Sequence, residues 1–201
     1  MLSSRVKYLI WAIVAVLIAV GVSFSSYNHS QIGTYLLIAY TIIVTIVAMA
    51  GKINSRYFPL VILGISAGMV LQTTMYGTTP IGTDIQVEMY FAKDVAANGW
   101  NPSTTHLYNM SIVTIWIVPS MIKIGIDPVF IFKAILPLCL VVVPVILYLV
   151  YNKFLNHKVS FISTLFFMAM PAFSIAIPTI AKQEVAELFL ALMVLLMVSK
   201  V

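Results

Sequence analysis

Six apolar runs, residues 8–24, 34–50, 57–76, 128–151, 159–178 and 181–199, take up more than half of this chain and dictate its solvent. A helix needs about 20 apolar residues to cross the roughly 30 Å hydrocarbon core of a bilayer, and each run is near that length. A soluble domain is excluded, because 62% of the residues are hydrophobic and 8% charged, where ordinary globular domains carry about 25% charged residues. The expected fold is all-α: a polytopic membrane protein of about six transmembrane helices, both termini cytoplasmic. The net charge of +5 is not a nucleic-acid signature, because the basic residues stand singly at the ends of runs and report orientation. The one cysteine, Cys139, sits in an apolar run and reads as a small buried hydrophobe.

Arg5 and Lys7 precede the first run, and Lys52 and Arg56 follow the second, which puts the N-terminus and the 51–56 loop in the cytoplasm. The first run starts like a signal peptide but is longer, so it reads as a retained anchor. The third run exits, and residues 77–109 form a long polar external loop. Residues 110–126 are apolar but hold Pro119 and Lys123. If they spanned, Lys153 and Lys158 would land outside, against the positive-inside rule. They are expected to lie on the outer surface as the second of two interfacial helices. The first begins at Thr83 or Asp84, has Ile85, Met89 and Ala92 on a lipid-facing side, and is ended by Asn98, Gly99 and Pro102. This threading leaves Arg5, Lys7, Lys52, Arg56, Lys153, Lys158 and Lys200 inside and every acid outside: Asp84, Glu88, Asp94, Asp127, Glu184 and Glu187. Pro137, Pro144 and Pro171 predict kinks whose freed carbonyls need neighbours.

Carboxylates near hydrocarbon are costly, so a cluster of them at a membrane lip reads as a functional site. Asp84 and Glu88, four residues apart, share a helix face. The competing reading makes Asp84 an N-cap and Glu88 a solvated surface charge. Lys182, Gln183, Glu184 and Glu187 occupy the first two turns of the last run, where the helix N-terminus favours acids and accounts for Glu184 better than for Glu187. Lys133 lies inside the fourth run; with Lys182 and Lys123 it is expected to hold a lipid phosphate at the outer lip, and snorkelling is the competing account. His29, His106 and His157 lack metal-ligand spacing. No metal site or cofactor is signalled, although an oxygen-liking divalent cation held by Asp84, Glu88 and a carboxylate of the last run is chemically allowed.

In order, a span, GTDIQVEMYFAK, a second interfacial segment, FKAILPLCLVVVPVILYLVY and IAKQEVAELFLAL resemble the front half of GT-C membrane glycosyltransferases, most of all archaeal members without an assigned substrate. The resemblance covers residues 57–201 and leaves 1–56 as two additional N-terminal spans. It implies transfer of a sugar from a polyprenyl-phosphate donor to an acceptor on the outer membrane face. Asp84 matches the loop acid that acts near the acceptor, which implies a general base, with Glu88 or Glu187 orienting it. Lys182 and Lys133, with Lys123, Gln183 and Glu184 beside them, are implied in donor binding. The implied partners are the polyprenyl-phosphate sugar lipid, membrane lipids and other membrane subunits. Complete members continue with further spans, so a fragment, one subunit of an assembly and a member without catalysis all remain open. The alternative function is a non-catalytic membrane subunit or lipid-binding scaffold.

Overall fold

The computed structural model describes residues 32–103 and 107–199. The first apolar run and its reading as an anchor lie outside these residues, as do Arg5, Lys7, His29, His106 and Lys200. Among the described residues the chain is helical without a strand. Helix α1 is Ile32–Met49 and α2 is Phe58–Thr74, entered through a turn at Ser55–Tyr57 that Asn54 caps by accepting from the Arg56 N–H. Helices α3 (Thr83–Asn98) and α4 (Val113–Lys123) follow in the loop region. Then come α5 (Pro128–Tyr151), α6 (His157–Met168), α7 (Ala172–Thr179) and α8 (Ala181–Ser199).

Two of these are long and apolar enough to cross a membrane: α5, with 24 residues, and α2 with its entry turn, 20 residues from Ser55 to Thr74. The α6–α7 pair makes a third if it is one span bent by 56°. Six spans are therefore met only in part. Of α1, the stretch Tyr35–Met49 counts among the shorter apolar helices, and α8 concentrates Lys182, Glu184 and Glu187 in its first two turns. Helix α4 is about 16 Å long at roughly 1.5 Å per residue, half of a bilayer core and too short to cross one by itself.

One core lies between α1, α2, α5, α6, α7 and, through Ala191, α8, where Phe58 packs on Phe161 with tilted rings whose centroids are 4.7 Å apart. Tyr40, Val44 and Ala48 of α1 join it, and Leu37 lies so close to Gly68 that a Cβ there would come within 2.7 Å of it. A second core joins α3, α4 and the starts of α5 and α8 through Ile85, Ala92, Val113, Val118, Phe132, Ala181 and Val185. This overturns the lipid-facing assignment of α3. Ile85 and Ala92 are buried against protein and Met89 is partly so, because α4 and α8 cover the apolar face that a lone interfacial helix would give to lipid.

Prolines shape the helices through the turn before them. Pro119, Pro137 and Pro178 each stand two residues past a widened π turn, at Val113–Ile117, Ile131–Ile135 and Ala172–Ala176. A proline has no N–H to offer and its ring crowds the carbonyl four residues back, and a wider turn moves that carbonyl aside. The Ser174 carbonyl, which Pro178 leaves without its helical donor, accepts from the Thr73 hydroxyl instead. The expected kinks resolve differently: the chain bends sharply beside Pro171, between α6 and α7, whereas α5 continues through Pro137 and Pro144 as one helix.

Candidate functional site: an acidic lip where α3 meets α8

Two loops meet at one end of the bundle. Lys158 Nζ donates to the Met49 carbonyl at 2.8 Å, closing the end of α1 and bringing the basic 152–158 and 51–56 loops together. The starts of α5 and α8 lie at the opposite end. Asp127 caps α5 there by accepting from the Phe130 N–H at 2.8 Å, and at this end the acids collect.

Gly82 determines how α3 enters. It has φ +115 and sits against Thr179, where a Cβ would lie 2.7 Å from the Thr179 Cβ. A backbone conformation that L-residues avoid and a close approach both demand glycine here. The residue before the first turn, Gly82, makes no side-chain cap, so Asp84 is inside the helix and the N-cap reading of Asp84 is removed. The Asp84 carboxylate instead takes a hydrogen bond from the Tyr108 phenol, which holds that phenol above its usual value; burial and the Asp84 charge add to this.

Glu88, one turn on, is not a solvated charge. It is fully buried, and its Oε2 accepts from the Lys182 backbone N–H at 3.3 Å at the open N-terminus of α8. Its Oε1 lies 3.7 Å from Lys182 Nζ, on a side chain that is 33% exposed. Glu88 thus supplies to α8, from another helix, the anion that a helix N-terminus favours. Burial raises its carboxyl above the usual range, while Lys182 and the α8 backbone donors act against that rise. Lys182 also places its ammonium 3.7 Å from the centroid of the Tyr108 ring, a cation–π contact. Glu184, in the first turn of α8, is wholly buried, within electrostatic reach of Glu88, and neither of its oxygens has a hydrogen-bond partner among the described residues.

The remaining expected site residues separate. Lys133 is buried and donates to the carbonyls of Tyr76 and Gly77, the first at 3.1 Å. It closes the chain end beyond α2 from a buried position, which overturns snorkelling. Lys123 is exposed at the end of α4 and Gln183 is exposed on α8. Glu187 is half-buried one turn past Glu184. Among the described residues no three His, Cys, Asp or Glu side chains gather in reach of one metal ion.

Tyr108 and Gly82 are the site residues that sequence reasoning misses. Tyr108 carries no motif; Gly82 stands in a turn-like TTPIG stretch, and only its place one residue before an amphipathic helix hints at a special conformation. What the site combines is a half-buried acid, an aromatic ring and a partly exposed ammonium, with two buried carboxyl groups beneath. No protein-family model matches the chain, and neither a curated protein nor a solved structure matches it.

Proposed function

We propose that the α3–α8 lip serves a membrane glycosyltransferase reaction of the GT-C kind, moving a sugar from a polyprenyl phosphate to an acceptor on the outer face. One observation carries this reading: Asp84 and Lys182, from helices far apart in sequence, meet on Tyr108, one at its hydroxyl and the other over its ring. Asp84 takes the proton of the acceptor hydroxyl as its oxygen bonds to the anomeric carbon. The bond from that carbon to the phosphate oxygen breaks, and its electron pair leaves with the phosphate. Lys182 neutralises the developing charge. In this reading the two basic loops are cytoplasmic, which sets the lip on the external face. The chain is then a multi-pass protein of the cell membrane.

The test is transfer of labelled hexose from polyprenyl phosphate into membrane acceptors, in membranes carrying the full chain. Asp84→Asn is nearly isosteric and keeps a partner for Tyr108, yet it cannot take a proton. It should lower transfer by about 10²–10⁴-fold, the usual worth of a positioned base. Transfer by Asp84→Asn at the wild-type rate would remove Asp84 from catalysis.

A second reading, a non-catalytic subunit or lipid-binding scaffold, is favoured by one observation. Lys133 and Glu88, two of the expected site residues, are engaged in holding helix ends. It predicts a wild-type chain that retains polyprenyl phosphate and transfers nothing.

A further inference from the structure

The buried carboxyl groups under the lip carry an inference that does not need the sugar-transfer reading. Among the described residues, the buried side-chain oxygens without a hydrogen-bond partner are Thr74 Oγ1, Glu88 Oε1 and both oxygens of Glu184. Three of these four belong to two carboxyl groups that no solvent reaches. An isolated ionised carboxylate in such surroundings is prohibitively costly and neutralises itself instead. Two carboxylates at one site meet the further rule that the first charge opposes the second.

The surrounding groups decide which carboxyl keeps the charge. Helix α3 presents Asp84 and Glu88, α8 presents Lys182 and, one turn on, Glu187, and the 107–110 turn presents Tyr108. Helix α5 brings Cys139 within electrostatic reach of Glu184, and its Lys133 is already held by the Tyr76 and Gly77 carbonyls. Helix α4 offers only Lys123, exposed at its far end. Glu88 has the Lys182 ammonium and the Lys182 N–H; Glu184 has no donor. Among the described residues no third His, Cys, Asp or Glu side chain joins the two carboxyl groups in reach of one ion, and the site suits a proton better than a metal ion.

We propose that Glu88 and Glu184 form a proton-binding pair, one proton to two carboxyl groups at neutral pH, carried on Glu184, which latches α3 onto the start of α8. When the proton leaves Glu184 for solvent, the pair bears two charges in surroundings that solvent does not reach. Among the described residues the cation beside them is the Lys182 ammonium, already shared with Glu88, so α3 and α8 separate. The latch is thus closed at neutral and acid pH and opens as the pH rises. It also governs whether Lys182 faces one negative charge or two.

Infrared difference spectroscopy on the full chain in a lipid bilayer tests this. At neutral pH the wild type should show the carbonyl band of a protonated carboxylic acid. That band should shift in heavy water, fade at alkaline pH and vanish in Glu184→Gln. The Gln variant, a mimic of the protonated state, should also lose the alkaline fall in melting temperature. A wild type without the band at neutral pH overturns the proposal, as does a band that survives Glu184→Gln. If that variant does not fold, the alkaline titration of the wild-type band decides alone, and a band that persists at alkaline pH overturns the proposal. A missing band accompanied by a thermal shift on adding sodium or magnesium chloride would show a cation in place of the proton, and would also overturn it.

Discussion

Three lysines look alike in this sequence and do three different things in the molecule. Lys182 shares its charge between a buried carboxylate and an aromatic ring, Lys133 is spent on two backbone carbonyls, and Lys123 is exposed. Spacing alone puts all three at the lip; only tertiary contacts sort them. Lys133→Met should lower stability by about 1–3 kcal/mol, because the Tyr76 and Gly77 carbonyls lose a charged donor. A melting curve in detergent checks this, and an unchanged melting temperature would show those carbonyls satisfied by other groups. Tyr108 gives a pH-dependent readout. Its phenol ordinarily titrates near ~10 and is held higher by the Asp84 bond. The contact therefore contributes fully below that ordinary value and is lost as the pH rises through the raised one. In carbon-13 NMR of labelled tyrosine, Asp84→Asn should move the Tyr108 titration back down; an unmoved titration would deny the bond. Glu88 is the residue the sequence hides best, since its main-chain partner lies 94 residues away and the four-residue step from Asp84 fits a solvated face equally well.

At the scale of elements, apolar periodicity marks a face for burial without saying what buries it. Ile85, Met89 and Ala92 mark the inner face of α3 correctly, yet the cover is α4 and α8 rather than lipid. Helix ends are more legible: Gly99, with φ +83, ends α3 where the sequence places its stop. Proline positions are legible too, but whether a proline bends a helix depends on the turn before it and on a neighbour for the freed carbonyl, as Thr73 is for Ser174. The joint between α3 and α8 hinges on Gly82. Gly82→Ala must relieve a contact with Thr179 while holding a positive φ, so it should cost about 1–3 kcal/mol and loosen the lip first. Hydrogen exchange should report faster exchange in α3 than in α5. Equal protection in the variant and the wild type would mean the loop tolerates a Cβ.

Taken as a whole, the molecule separates charge along its length: one end gathers the basic 51–56 and 152–158 loops, the other the acid lip. That polarity is legible in the sequence, because loop charges survive any rearrangement of packing. The number of spans is less so, since α1, α8 and the bent α6–α7 pair fall near the limit of length or charge for crossing. Single cysteines in a Cys139→Ala background test the orientation. Ser103→Cys should react with an impermeant external reagent, and Leu155→Cys, exposed in the basic 152–158 loop, should not. Reaction at 155 from outside would invert the molecule and place the lip in the cytoplasm. The central claim, that this lip handles a lipid-linked phosphate through Lys182, meets its most direct test in native mass spectrometry with added polyprenyl phosphate. Lys182→Gln should weaken lipid retention about tenfold, equivalent to ~1.4 kcal/mol, while Lys133→Met should retain it as the wild type does. Equal retention by wild type and Lys182→Gln, or a loss confined to Lys133→Met, would contradict the account.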